Sequence, residues 1–194
     1  MKKIIIIGGG FAGAYCARKL EKDFDVTLID TKDYFEFTPS VLRTLIESEH
    51  AGKIEVCHQK YLLRAFVVRD EVISITEHDV KTTSKKLPYD YLIIATGSRY
   101  NVPIKEKNMI ITDRGEELRK YSQKLREANT ILIIGGGLVG VELAAEIITA
   151  YPDKKIKLVH AHAELIERNP GKSRKYAQRY QLPKFIMGDF CQKW

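Results

Sequence analysis

The chain has 194 residues, 44% of them hydrophobic and 29% charged, with a formal net charge of +7. That length and balance suit one large or two small globular domains and exclude a disordered chain. The positive charge raises polyanionic partners, but most cations sit among acids, as in Glu116-Glu117-Leu118-Arg119-Lys120, and no aromatic interleaving suggests base stacking, so nucleic acid is not an expected partner.

In chain order, Lys3 to Ile7 is a β-branched apolar run suited to a parallel strand buried on both faces. Gly8 to Gly10 breaks it, and Ala12 to Leu20 reads as a helix. Val26 to Ile29 is the next strand and ends on Asp30. Phe35 to Pro39 reads as an aromatic loop, with a short helix over Val41 to Glu47. Phe66 to Val68 and Glu71 to Thr76 read as strands of a small antiparallel excursion that turns at Arg69-Asp70. Tyr91 to Ala95 is again a buried strand, and Asp113 to Ala128 a helix with a capping box at Asp113 and Glu116.

The opening pattern then returns. Ile131 to Ile134 reads as a strand, Gly135 to Gly137 as a break, Leu138 to Thr149 as a helix and Ile156 to His160 as a strand, which makes an internal duplication. Pro170-Gly171 marks a loop, Ser173 to Gln181 fits one more helix, and Leu182 to Trp194 shows no period. The acid-free stretch holding Arg168, Lys172, Arg174, Lys175, Arg179 and Lys184 reads as a solvated helix face.

Leader and membrane signals are missing from this pattern. The apolar core after Met1-Lys2-Lys3 stops at Gly8, short of a signal peptide, and Ile131 to Val141 is too short and glycine-rich to span a bilayer. Cys16, Cys57 and Cys191 are odd in number and widely spaced, which points to a reducing compartment; the expectation is a cytoplasmic chain.

The chemistry lies in the glycines. Gly8-x-Gly10-x-x-Gly13 follows a strand and opens a helix: the first glycine permits the turn, the second lets backbone approach a pyrophosphate, and the third packs helix on strand. The helix N-terminus adds free amides and a positive dipole end. Asp30, at the end of the second strand, is placed to accept bonds from a ribose diol. Gly135, Gly137 and Gly140 repeat the device, but His160 stands where the acid would be. A histidine supplies no carboxylate and could contact a 2′-phosphate, so NADH and NADPH both stay open. His160 and His162 share a strand face without further ligands nearby, so no metal site is expected.

Gly-rich turn, Asp30, Tyr89-Asp90-Tyr91-Leu92-Ile93-Ile94-Ala95-Thr96-Gly97-Ser98 and a second Gly-rich turn, in that order, resemble the two-dinucleotide-binding-domain flavoproteins over residues 2 to about 168. Phe35-Glu36-Phe37-Thr38-Pro39 and Leu138-Val139-Gly140-Val141-Glu142-Leu143-Ala144 look like type II NADH dehydrogenases and the apoptosis-inducing-factor-like quinone reductases. The resemblance implies FAD held by Gly8, Gly10, Gly13, Asp30, Ala95, Thr96 and Gly97, with Thr38 and Pro39 beside its ring. It implies NAD(P)H on Gly135, Gly137, Gly140 and His160, with Glu142 at the reactive end as the catalytic residue. Hydride would pass from NAD(P)H to FAD and on to a quinone-like small-molecule acceptor. Disulfide-reductase chemistry is not expected, because Cys16 has no second cysteine a few residues away.

The expected fold is α/β, with two Rossmann-like βαβ units of the FAD/NAD(P)-binding kind. Residues 1–112 would be the FAD-binding domain and 113–194 an incomplete NAD(P)-binding domain with an atypical tail over 181–194. Family members run much longer, so the chain reads as a truncated member. A homodimer mate or partner chain, or else the tail, would have to cover the apolar sheet surface of the second unit. The rival expectation is a non-catalytic, nucleotide-binding remnant or subunit that acts through a partner chain.

Overall fold

The computed structural model describes residues 1–98, 114–181 and 186–189. Its chain divides into two compact units, one of Met1–Val41 and Glu49–Glu117, the other of Leu42–Ser48 and Leu118–Trp194.

In the first unit, β1 (Lys3–Ile7) leads through the Gly8–Gly10 turn into α1 (Phe11–Leu20) and returns in β2 (Asp25–Asp30). A short strand β3 (Tyr34–Glu36) precedes a 3₁₀ helix over Thr38–Leu45, and α2 (Ala51–Ile54), β4 (Glu55–Cys57) and α3 (His58–Tyr61) follow. Next come β5 (Phe66–Arg69), a meander of β6 (Val72–Ile75), β7 (Asp79–Thr82) and β8 (Lys86–Pro88), and β9 (Tyr91–Ile94). The main sheet runs β5-β2-β1-β9, and each adjacent pair is parallel.

Alternation along β1 explains the layering. Ile4 and Ile6 pack with Ala17 of α1, Val26, Leu28 and Leu62, whereas Ile5 and Ile7 pack with Ile29, Val68 and Val80 of the meander. A helix covers one face of the sheet and the meander covers the other. Ile4 to Ile7 and Val26, Leu28 and Ile29 of the two central strands are therefore buried, as a parallel sheet requires, while Phe66, Tyr91 and Ile94 on the edge strands stay more than half exposed, so Tyr91 to Ala95 is not the buried strand expected. Asp90 fastens the sheet's β9 side: its carboxylate accepts the Lys3 amide at 2.7 Å and the Lys2 ammonium at 3.0 Å.

Two further expectations are corrected here. Phe66 to Val68 belongs to the parallel sheet, not to the antiparallel excursion, because Thr27↔Phe66 through Asp30↔Arg69 pair in parallel register. The periodicity of a short apolar run cannot tell these two placements apart. The aromatic stretch is also not wholly loop, since Tyr34–Glu36 pairs antiparallel with Glu55–Cys57.

The second unit repeats the opening. Helix α4 (Arg114–Glu127) leads to β10 (Thr130–Ile134), α5 (Leu138–Ala150), β11 (Lys155–His160), α6 (Gly171–Gln181) and β12 (Ile186–Asp189). The proposed cap residue Asp113 lies outside the described residues, as do Lys184 and Cys191. Strands β10, β11 and β12 form a parallel sheet in that order. The aperiodic tail therefore contributes a strand after all, with Lys157↔Ile186 through His160↔Asp189 in register; a four-residue strand is too short to leave a periodic signal. The core gathers Ile133, Val141, Ala144, Ile147, Ile156 and Leu158, with Ile46 packed against it. The opposite face of β10 is bare: Leu132 is 57% and Ile134 81% exposed. No helix among the described residues is long and apolar enough to cross a membrane.

One buried carboxylate ties α1 to the chain entering β5. Glu21 is 1% exposed; its Oε2 accepts the amides of Leu63 and Arg64 at 2.8 Å and of Ala65 at 3.0 Å, and its Oε1 meets Arg18. Burial pushes this carboxyl up, but the amides and the guanidinium outweigh it and hold it below the ordinary range.

Two stability outcomes are expected. Glu21→Gln should lose about 2 kcal/mol at pH 7, because it leaves donors facing a weaker acceptor. Since the folded carboxyl lies below its unfolded value, Glu21's contribution is complete above about pH 4.3 and fades as pH falls through the folded value. Urea titrations should thus show the gap between variant and wild type closing in acid, and a pH-independent gap would contradict the assignment. Gly13→Ala and Gly140→Ala should each cost about 2 kcal/mol or more, because the new methyl strikes a backbone carbonyl; unchanged melting temperatures would refute that contact.

Candidate functional site

Each Gly-rich turn is built by two glycines that approach one another. Gly8 and Gly135 adopt φ of +98° and +109°, in the left-handed region that a side chain disfavours. Five residues on, a Cβ at Gly13 or Gly140 would strike the carbonyl oxygen of Gly8 or Gly135 respectively. The absent side chains seat each helix against the end of its strand. The middle glycines, Gly10 and Gly137, cap α1 and α5 in extended conformation with no side chain bonded to the helix end. First-turn amides therefore point outward without an intrahelical partner.

In the first unit this turn opens on a cavity of about 890 Å³. Its walls include Gly8, Gly10, Asp30, Thr38, Ala95, Thr96 and Gly97 from the expected set, while Pro39 is not among them and Gly13 lies behind the turn. Phe11 adds an aromatic edge, with its ring 5.1 Å from Phe35 and 5.6 Å from Phe37, centre to centre. Lys32 is the only cation among the described lining residues, against Asp30, Glu36, Asp70 and Glu71. An anion there must rely chiefly on backbone amides.

Asp30 is held from several sides. Oδ2 accepts the Gly9 amide at 2.5 Å and Oδ1 the Lys32 amide at 3.0 Å. Burial pushes the carboxyl up; the nearby His58 ring, the Lys32 and Gly9 amides and the Lys32 charge together bring it below the ordinary range. It stays an acceptor near neutrality. Sequence reasoning missed His58, a lone histidine without a motif, and missed Asp70, Glu71 and Val72, which reach the cavity from the far side of the sheet.

The second unit repeats the geometry with other chemistry. A Cβ on Gly136 would meet the His160 ring at 2.8 Å, as one on Gly9 would meet Asp30 at 2.5 Å. The residue ending the second strand covers the middle of the turn in both units. His160 Nε2 is buried without a hydrogen-bond partner, and the His160 and His162 rings lie 5.2 Å apart. Among the described residues no group of three or more His, Cys, Asp or Glu is placed to hold a metal. Glu142 is exposed on α5; partial desolvation, then Glu146 one turn on, holds its carboxyl above the ordinary range. The Arg43 guanidinium engages Glu146 at 3.0 Å.

Comparison with known proteins places the chain in a family. The chain is 37% identical over 176 residues to apoptosis-inducing factor homolog A of Dictyostelium discoideum, a match covering 85% of this chain and 43% of that protein. It is 36% identical to ferroptosis suppressor protein 1 of Xenopus tropicalis, covering 85% and 45%. The chain thus spans about half the length of the curated relatives it matches. In fold it is similar to NDH2 of Plasmodium falciparum in complex with NADH, with a TM-score of 0.74 at 19% identity over 96% of this chain and 47% of that one. It is likewise similar to the sulfide:quinone oxidoreductase of Aquifex aeolicus, with a TM-score of 0.71 at 24% identity over 96% and 51%. The model of the pyridine nucleotide-disulphide oxidoreductases matches residues 2–182, nearly the whole chain, and the protein belongs to that family.

Proposed function

We propose that this chain is the dinucleotide-binding part of an FAD-dependent NAD(P)H oxidoreductase, with FAD held by residues 1–112 and NAD(P)H by residues 113–194. The observation that carries the reading is the doubled turn, with each third glycine seated on the carbonyl of the first and each helix start left uncapped. Diphosphate is the group such a turn suits, because bare amides and the helix dipole both favour it. The first unit fits FAD further: Asp30 offers an ionised acceptor to a ribose diol, and Ala95 to Gly97 line the cavity beside the turn.

When bound, the two cofactors supply hydride transfer and electron storage. The chain's own residues bind and orient. Gly10, Phe11 and Ala12 offer amides to one diphosphate, Asp30 and Lys32 fix the ribose end, and Thr38 and the Phe11–Phe35–Phe37 cluster shield the ring end from water. Gly135, Gly137 and Gly140 serve the second diphosphate. His160 replaces a ribose-binding acid and so removes the repulsion that would reject a 2′-phosphate. Glu142 orients the nicotinamide. A small quinone-like molecule is the proposed acceptor, in keeping with the structural likeness to the Aquifex sulfide:quinone oxidoreductase.

A second reading, a non-catalytic nucleotide-binding subunit, draws on the bare face carrying Leu132 and Ile134. Another copy or a partner chain would cover that face, since exposed apolar strands of this kind mark contact surfaces.

Absorption spectra separate the two. Protein mixed with FAD and desalted should show flavin bands that NADH or NADPH bleaches under anaerobic conditions. Retained but unbleached flavin, or colourless protein that resists FAD reconstitution, would overturn the first reading and favour the subunit. The middle glycines then test the sites without unfolding them. A Cβ on Gly10 or Gly137 meets nothing within 4 Å, so alanine there should shift melting by less than about 2 °C. Gly10→Ala should weaken FAD binding about tenfold or more and Gly137→Ala that of NAD(P)H, by blocking backbone approach to diphosphate; equal affinities in isothermal titrations would contradict the site.

A further inference from the structure

Behind the first turn lies a titratable cluster that the proposed function does not use. His58, at the start of α3, is fully buried, and its two ring nitrogens face different partners. Nδ1 lies 2.5 Å from the Tyr61 hydroxyl. Nε2 forms no hydrogen bond and lies 3.8 Å from Asp30 Oδ2, and a Cβ on Gly9 would come within 2.5 Å of both Nε2 and Oδ2. Three elements thus converge where the ribose-binding carboxylate is set.

The proton positions follow from the partners. Burial above all, with help from Asp30 and Cys57, pushes the Tyr61 hydroxyl up to about 12. The phenol therefore keeps its proton across the neutral range and is able to donate it to Nδ1, the arrangement on which the proposal below is built. A nitrogen that accepts carries no proton, so the imidazole proton sits on Nε2, on the side of Asp30. At 3.8 Å a proton on Nε2 would act on the carboxylate electrostatically, strengthened by burial. The Gly9 amide bonds the same Oδ2, Lys32 bonds Oδ1 through its amide, and Arg69, the register partner of Asp30 on β5, directs its guanidinium to Asp33 at 3.9 Å, so the imidazole acts beside these amides as the buried side chain set against Oδ2.

We propose that Tyr61 and His58 form a buried relay that fixes the imidazole proton on Nε2 and thereby holds the Asp30 carboxylate in place for an adenosine ribose. His58 is in this sense a positioning residue, and Tyr61 sets its tautomer. The inference rests on the reading of the first turn as a dinucleotide site, and its test separates the two.

Nitrogen-15 spectra of histidine-labelled protein at pH 7 should show His58 as the Nε2–H tautomer, and Tyr61→Phe should release it to a mixture. A proton on Nδ1, or on both nitrogens, overturns the relay whether or not nucleotide binds. Binding of ADP and of 2′,3′-dideoxy-ADP, which lacks the ribose hydroxyls, then tests its role. His58→Leu should weaken ADP about tenfold, and more at pH 5 than at pH 7.5, because losing the donor lets the Asp30 carboxyl rise and protonate as pH falls. His58→Gln, which keeps an N–H on that side, should stay within about threefold of wild type. Dideoxy-ADP should bind wild type and His58→Leu alike. A defect equal for both nucleotides marks a merely structural histidine and overturns the proposal; wild type that binds neither refutes the ribose-holding role and the dinucleotide reading together, while the tautomer result stands on its own.

Discussion

A helix can sit on the carbonyl oxygen that ends a strand only if it brings no side chain to that point. In both units the third glycine of the turn meets this condition against the first, and much else follows from it. The close seat aims the helix axis at the turn, leaves the first amides facing outward, and forces the first glycine to positive φ so that the chain can reverse. Ala95 and Thr96 then run against Gly8, where even a methyl would lie 2.5 Å from the Ala95 carbonyl. All three residues line the cavity.

What covers the middle of each turn gives the two units different chemistry. In the first, Asp30 takes the Gly9 amide for itself and still faces the cavity, so one carboxylate both closes the turn and addresses the ligand. Holding a charged group at 12% side-chain exposure requires compensation, and amides on both oxygens together with the His58 dipole provide it. In the second, the His160 ring occupies the space that a Cβ on Gly136 would need. It covers the turn without bringing a negative charge. A duplicated backbone thus carries unlike electrostatics, decided at one residue per repeat.

Much of this was legible in the sequence because it rests on local rules. The β-branched run Lys3–Ile7 and its repeat before Gly135 announce buried parallel strands, and the glycine spacing states the turn. Asp30 was visible because it ends a strand at the right distance from the turn. The rest depends on pairing between distant segments. Phe66–Arg69 has the same pattern whether it pairs with β2 or β6, and only the register with Thr27–Asp30 decides. His58 and Tyr61 carry no motif, and they matter because α3 tucks behind Gly9. Ile186–Asp189 is a strand because β11 offers it an edge, not because its own residues alternate.

The two sheets also differ in how they are finished. In the first unit the meander spends Val72, Val80, Leu87 and Tyr89 on the face opposite α1, and Tyr89 clasps it by donating to the Thr76 carbonyl at 2.7 Å. Asp70 secures its far end, taking the hydroxyls of Thr83 and Ser84 and the amide of Glu71. The residues that dry the back of the sheet thereby deliver Asp70, Glu71 and Val72 to the cavity, so cover and site are one construction. Among the described residues no such layer covers Leu132 and Ile134 in the second unit. At about 25 cal/mol per Å² of apolar surface, covering two such side chains is worth a few kcal/mol, a sizeable part of the stability of a small domain. Whatever closes that face would therefore stabilise the second unit, and its nucleotide affinity should depend more on what closes it than that of the first.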